Sequence, residues 1–199
     1  MSVDTVLALA GSPRRGGNTD LLLAEAMRGA RDAGHEVIHV VASELDLSGC
    51  VACGGCSREG RCVVMDDMQH VFIDLDRAHH VIVAAPIFFM GLPGQLKNLI
   101  DRCQLYWSRK YVLHQPSGRQ FPGGNAGAIL VGGTDFKHVF DGSRWVLKSL
   151  CHCLELHYTQ ELCLRHIDQR GDIQKHPEHL EAVYNLGLNI SGITPSTGA

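Results

Sequence analysis

The chain has 199 residues, 45% of them hydrophobic and 20% charged, and a formal net charge of −3 at neutral pH. That length and apolar fraction suit one domain that buries its core without disulfide staples. The small negative charge gives no electrostatic footprint for nucleic acid or an anionic membrane, and no apolar run approaches the roughly 18 residues of a membrane span.

Met1 leads directly into a strand-like segment with no basic region or cleavage site, so the expected location is the cytoplasm. There, clustered cysteines read as metal or redox ligands rather than disulfides. Thr5 to Ala10 is a continuous apolar run, the pattern of a strand buried on both faces. Gly11-Ser12-Pro13-Arg14-Arg15-Gly16-Gly17-Asn18-Thr19 breaks it. A helix follows, with Leu22, Leu23, Ala26, Met27 and Ala30 on one stripe, Asn18 or Thr19 as cap and Gly34 as stop. A strand, a glycine- and hydroxyl-rich turn and a helix make a phosphate cradle, because backbone N–H groups and the positive helix end face an anion. Ser12, Arg14, Asn18 and Thr19 can add donors. The loop is neither a P-loop nor the G-x-G-x-x-G fingerprint, and an ordinary strand–helix turn is the plainer reading of it taken alone.

Val37 to Val41 reads as a second strand, and Cys50, Cys53, Cys56 and Cys62 follow it in the spacing C-x2-C-x2-C-x5-C. A cubic iron–sulfur cluster needs four thiolates converging from one curled loop. Gly54, Gly55 and Gly60 supply backbone freedom for the curl, and Arg58 and Arg61 are placed to offset thiolate charge. Tetrahedral zinc fits the same spacing, as does a structural loop of small, half-buried cysteines; all three readings stand at this point. Cys103, Cys151, Cys153 and Cys163 lie in apolar surroundings and are expected in the core.

Asp66 and Asp67 open a helix, where acidic residues suit the dipole. His79 and His80 precede a third strand, Val81 to Ala85, as polar residues at its edge. Pro86-Ile87-Phe88-Phe89-Met90-Gly91-Leu92-Pro93-Gly94 leaves that strand and leads to a helix with Leu96, Leu99, Ile100 and Cys103 on one face. Phe88, Phe89 and Met90 at a strand's carboxyl end need cover from a flat aromatic cofactor or a partner subunit; at least one of them is expected in the core. Tyr106 to Pro122 is a long excursion, which in a compact domain serves function or an interface. Ala126 to Val131 is a fourth strand ending in Gly132-Gly133-Thr134-Asp135, Gly142 to Leu154 a helix, and Tyr158 to Leu164 a fifth strand. Glu178 to Leu188 is the last helix, with Leu180, Val183 and Tyr184 inward, and residues 191–199 form a frayed polar tail.

Alternating apolar strands and amphipathic helices predict a parallel sheet covered on both faces. Ligands of such sheets sit beyond the carboxyl ends of the strands. Three loops leave those ends: one suits phosphate, one offers aromatic cover, and one brings glycine backbone to a polar ring edge. Together they describe a pocket for FMN rather than a dinucleotide, since one phosphate cradle is visible.

The Gly11-Ser12-Pro13-Arg14 … Gly17-Asn18-Thr19 loop resembles that of the NAD(P)H-dependent FMN reductase group of the flavodoxin-like superfamily. The Cys50 to Asp67 segment resembles the cysteine stretch of the iron–sulfur flavoproteins in that group, and Pro86-Ile87-Phe88-Phe89 with Gln95 to Arg102, and Gly132-Gly133-Thr134, are similar to its flavin loops. The resemblance covers about residues 3 to 190. It implies a doubly wound five-stranded sheet in order 2-1-3-4-5 within one FMN-binding domain, residues 1–190, carrying a cysteine loop at 48–65. Carried over by position, it implies that Ser12, Arg14, Asn18 and Thr19 hold the phosphate, and that Pro86, Ile87, Phe88, Phe89, Met90, Gly91, Gly133 and Thr134 flank the isoalloxazine. Phe88 stands where relatives often have tyrosine, which removes a hydroxyl.

The expected protein is an FMN-dependent oxidoreductase with a [4Fe–4S] cluster on Cys50, Cys53, Cys56 and Cys62. It takes electrons from NAD(P)H or a ferredoxin-like donor and assembles as a homodimer or homotetramer, with no nucleic acid or membrane partner. No side chain is assigned as general acid or base. The alternatives are an FMN-only reductase of quinones, flavins or nitro compounds, and a non-enzymatic electron carrier.

Overall fold

The apolar run Thr5–Ala10 forms strand β1, and every one of its residues is buried. In the computed structural model, which describes residues 3–192, the remaining strands are β2 (Glu36–Val41), β3 (His80–Pro86), β4 (Asn125–Val131) and β5 (His157–Leu164). They pair in parallel as one five-stranded sheet in the order β2-β1-β3-β4-β5. The three inner strands are buried almost throughout, whereas the edge strands β2 and β5 are only partly buried. That contrast follows from having one neighbour instead of two.

Side chains alternate across the pleat. Leu7 and Leu9 of β1 and Val81, Val83 and Ala85 of β3 face one layer, into which pack α3 (Met68–Arg77), α4 (Gly94–Arg102), α5 (Gln104–Tyr111) and α6 (Asp141–Cys153). Val6, Ala8 and Ala10 with Ile82 and Ala84 face the other, covered by α1 (Asn18–Asp32) and α7 (Pro177–Leu188). The expected stripe on α1 is buried in full. Helices α1 and α7 approach backbone to backbone: a Cβ on Gly29 would lie 2.0 Å from the Tyr184 carbonyl oxygen, and one on Gly187 would lie 1.9 Å from that of Ala26.

Several expectations change. His80 is inside β3 and buried rather than at its edge. On α7, Val183, Leu186 and Gly187 are the buried residues. Tyr184 sits at the rim, where the Arg28 guanidinium lies 4.2 Å from its ring centre and its hydroxyl donates to Asp32 at 3.0 Å. The segment after Cys103 turns at once into α5, and the excursion that follows is anchored from within. Arg119 is buried and donates to the carbonyls of Leu75 at 3.0 Å, Leu154 at 2.6 Å and Ala78 at 2.5 Å, so it caps the ends of α3 and α6. Cys103 and Cys151 are buried as expected, while Cys153 and Cys163 are half-buried. Of the expected frayed tail, residues 193–199 lie outside the described residues.

Candidate functional site

Two cavities lie among the loops that leave the carboxyl ends of the strands. The first, about 410 Å³, opens beyond β1, β3 and β4. Gly11 starts its phosphate-type loop by donating to the Ala84 carbonyl at 2.8 Å, and a Cβ there would lie 2.6 Å from Leu96. The Ser12 hydroxyl accepts the Arg14 N–H at 3.1 Å, and the Asp20 carboxylate accepts the Gly16 N–H at 2.9 Å. Gly16 has φ +64°, a value open to glycine without strain. These bonds hold the loop against the first turn of α1, whose amides have no intrahelical acceptor and carry the positive end of the dipole.

Ser12, Arg14, Asn18, Thr19, Pro86, Ile87, Phe88 and Gly133 all line this cavity. Phe89, Met90, Gly91 and Thr134 are not in its wall. The aromatic loop departs from expectation, because Ile87 packs against the core but Phe88, Phe89 and Met90 are 43%, 106% and 41% exposed. None of the three is core. Phe88 and Gly91 exchange backbone hydrogen bonds at 2.9 and 3.0 Å across Phe89 (φ 47°) and Met90 (φ 65°). That is a type I′ turn built without glycine at its centre. Such strained, exposed apolar turns occur where a ligand or partner over-determines the conformation.

The sequence reading missed the segment after β5. Ile167, Asp168 and Arg170 line the cavity with Arg15 and Gly17, and Asn18 ties that segment down. Its side-chain amide donates to the Gln169 carbonyl at 2.8 Å, and its oxygen accepts the Gly171 and Ile173 N–H groups at 3.0 and 3.3 Å. Arg170 donates to the Arg15 carbonyl at 3.0 Å. The signal was available, since a polar, turn-rich stretch at a strand's carboxyl end is where open sheets place ligand contacts.

The second cavity, about 460 Å³, is lined by Cys50, Cys53, Cys56 and Cys62 together with Arg102. Gly54 (φ 72°) and Gly60 (φ 65°) flank the short helix α2, Gly55–Glu59, in left-handed backbone. Gly55 is needed for space, as a Cβ there would lie 2.9 Å from Val63. Cys50 and Cys53 are exposed, and Cys56 and Cys62 half-buried. The Cys56 sulfur lies 3.2 Å from the Ser108 hydroxyl.

Arg109 donates to the Gly60 carbonyl at 2.7 Å and Arg61 pairs with Glu59 at 2.9 Å, but the cation hydrogen-bonded to a cysteine sulfur is neither Arg58 nor Arg61. It is Arg102 of α4, whose side chain is 1% exposed. Its guanidinium forms a bidentate pair with Asp66 at 2.6 and 3.0 Å and donates to the Ser48 and Val64 carbonyls at 2.9 and 3.3 Å, and to the Cys62 sulfur at 3.3 Å. Burial pushes the Arg102 pKa down, but Asp66 and Cys62 together more than offset this and carry it above its ordinary value. Burial likewise opposes ionisation of Asp66, and Arg102 with the Ser48 amide holds its carboxyl below the usual range. Asp66 thus anchors the loop as well as accepting the Met68 N–H at the start of α3, at 3.2 Å.

Residues 5–138 match the NADPH-dependent FMN reductase family. The chain belongs to that family. An iron-sulfur flavoprotein of Methanosarcina thermophila is 33% identical over 129 residues, 65% of this chain and 63% of the relative. Another, from Methanocaldococcus jannaschii, is 35% identical over 97 residues, 49% of this chain and 50% of the relative. The chain therefore spans between half and just under two thirds of these relatives' length. Among solved structures, the NAD(P)H:quinone oxidoreductase from Methanothermobacter marburgensis is similar at a TM-score of 0.75, with 15% identity, 98% of this chain and all (100%) of that one covered. A flavone reductase gives 0.70 at 18% identity, covering 94% of this chain and 62% of that one. At those identities the likeness shows the family's flavodoxin-like fold. No helix of the described residues is long and apolar enough to cross a membrane.

Both sites suit the groups that the family fold implies. The first joins a helix N-terminus and the cations of Arg14, Arg15 and Arg170 to an apolar wall, which is the donor set of a phosphate carried on a planar ring. The second brings four cysteines and a buried arginine to one cavity, a thiolate donor set that suits an iron–sulfur core and equally tetrahedral zinc.

Proposed function

We propose that the chain is an FMN-dependent oxidoreductase of the cytoplasm, moving electrons from NAD(P)H or a ferredoxin-like donor to an acceptor. Cys50, Cys53, Cys56 and Cys62 hold a [4Fe–4S] cluster in it. The observation that carries the cluster is the opening of all four thiols onto one cavity whose wall includes a buried arginine. Bound FMN supplies hydride and electron chemistry, and the cluster supplies single-electron transfer.

The chain's own part is binding, orientation and exclusion of water. Ser12, Arg14, Thr19 and the first amides of α1 bind the phosphate, and Asn18 holds the loop that closes the far wall. Pro86, Ile87, Phe88 and Gly133, which line the cavity, flank the ring. The strained Phe89–Met90 turn places apolar side chains where a ring or a partner subunit covers them, in keeping with a homodimer or homotetramer. The exposed Trp107 and Trp145 extend the apolar surface available to such a partner.

Anaerobic purification followed by iron, sulfide, zinc and flavin analysis of one sample tests this. The expected result is FMN with iron and sulfide in equal amounts, and Cys56→Ser and Cys62→Ser variants that lose iron while keeping FMN. FMN without iron makes the chain an FMN-only reductase, zinc in place of iron overturns the cluster, and a full cluster in either variant overturns the ligand assignment. A fully loaded protein that accepts electrons but shows no turnover with any nicotinamide donor is a non-enzymatic electron carrier.

A further inference from the structure

Arg102 is buried, yet its Nε has no partner, while its two terminal nitrogens serve five acceptors on the cysteine loop. Among those acceptors is one cysteine sulfur, that of Cys62 at 3.3 Å. An arginine serving only as packing or as a loop tie has no need of the sulfur, since Asp66, Ser48 and Val64 already fix its plane. Breaking a buried guanidinium pair is costly because it strands the other charge, so the Asp66 pair locks the fork in one orientation. Nη2, whose two N–H groups serve Asp66, the Val64 carbonyl and the Cys62 sulfur between them, is therefore held facing Cys62 before any metal enters.

We infer that Arg102 is a positioning and tuning residue for the cluster: it fixes Cys62 as the fourth ligand and, through its N–H to the sulfur, raises the reduction potential. The inference rests on the reading of Cys50, Cys53, Cys56 and Cys62 as cluster ligands. A hydrogen bond to a ligand sulfur draws electron density from it and favours the reduced, more negative state; such bonds, with net charge and solvent exposure, set cluster potentials. The other three cysteines have no arginine partner of this kind among the described contacts. Cys56 meets the Ser108 hydroxyl, and Cys50 and Cys53 are open to solvent. Cys62 is separated from Cys56 by the longest gap in the motif, and Arg102 reaches across from α4 to the point where the chain returns.

The test compares the wild-type protein with Arg102→Lys and Arg102→Gln, all purified anaerobically. Bound FMN serves as the check on folding, iron loss to a chelator as the measure of ligand fixing, and an EPR-monitored redox titration gives the cluster potential. Arg102→Lys keeps the charge but not the fork. Both variants are expected to keep FMN, to lose iron at least tenfold faster, and to shift the oxidised–reduced equilibrium about tenfold toward the oxidised form. That shift is about 59 mV downward for one electron. Loosening of the loop alone would admit water and move the potential upward, so the sign separates tuning from a merely structural role.

An unchanged or raised potential in both variants overturns the tuning, and unchanged iron loss overturns the positioning. If neither variant binds FMN, Asp66→Asn replaces them. It keeps the guanidinium but removes the charge that locks the fork toward Cys62, and the expected result is faster iron loss with FMN retained, wild-type retention being the contrary one. A wild-type protein that takes up no iron or sulfide, even on anaerobic reconstitution, removes the cluster reading and this inference with it. Iron in the wild type with indifferent variants removes the inference alone.

Discussion

His80 was expected at the edge of a strand, yet it works as a buried acceptor at the amino-terminal end of the sheet. Its Nδ1 accepts the Asn125 N–H at 3.0 Å, and the neighbouring His79 Nδ1 accepts the Thr5 N–H at 2.9 Å. Both rings direct Nε2 toward Asp4, at 3.5 and 3.6 Å, and His35 lies edge-on to His80 with ring centres 5.9 Å apart. Burial lowers the His80 pKa, Asp4 opposes the shift, and His35 and His79 add to it. The unfolded imidazole protonates near pH ~6.5, while the folded one stays neutral to lower pH. Between the two values the unfolded chain binds more protons, so the His80 contribution to stability is present above that window and lost as pH falls through it. Thermal melts from pH 7.5 to 5 are expected to show a Tm that falls more steeply for the wild-type chain than for His80→Gln, whose amide oxygen can still accept from Asn125. Parallel curves would show that another group governs acid stability.

At the scale of elements, Arg119 explains a stretch that periodicity could not. Residues 112–124 carry no regular pattern because scattered tertiary contacts order them, among them one long side chain reaching the carbonyls at the ends of α3 and α6 and the Gln120 N–H donating to the Asp76 carbonyl at 2.8 Å. Those carbonyls have no acceptor role left within their own helices. Replacing Arg119 with methionine keeps apolar bulk but strands three buried acceptors. Individual groups of this kind cost about 1–3 kcal/mol, so a loss of roughly 3 kcal/mol or more is expected in urea denaturation, with the slope unchanged. A loss below about 1 kcal/mol would mean that water replaces the guanidinium. The same logic applies to Arg102 in the cysteine loop. Both arginines looked like ordinary helix or loop cations in the sequence, because a side chain's partner tens of residues away leaves no local mark.

For the whole molecule, the cofactor cavity depends on joining loops from opposite ends of the chain. Asn18 and the segment around Gly171 are 153 positions apart, and three hydrogen bonds from one amide side chain bring them together. Asn18→Ala leaves α1 without this strut, and the wall formed by Ile167, Asp168 and Arg170 is free to move away. FMN affinity measured by flavin fluorescence is expected to drop about tenfold, equivalent to about 1.4 kcal/mol, with the melting temperature of the apoprotein little changed. Undiminished affinity would place the phosphate on the backbone and Ser12 alone.

Much of this architecture was legible in advance, because it depends on local pattern. The buried run of β1, the stripe of α1 and the helix after Pro93 each follow from apolar periodicity, and the sheet order follows from the family resemblance, whose strands the chain reproduces. Gly54 and Gly60 were read correctly, since a left-handed turn is a property of a single residue. The exposure of Phe88, Phe89 and Met90 was not legible, as hydrophobicity argues for burial and only the I′ turn turns them outward.

The spacing of Cys50, Cys53, Cys56 and Cys62 by itself set the candidate ligands and the chemistry open to them, iron or zinc, because short loops with glycine can bring those sulfurs together unaided. What surrounds them was decided by the tertiary structure. Only folding carries Arg102 from α4 to Cys62, Asp66 to Arg102, and the segment after β5 to the phosphate loop. Those contacts come from the packing of distant elements, and no spacing in the chain encodes them.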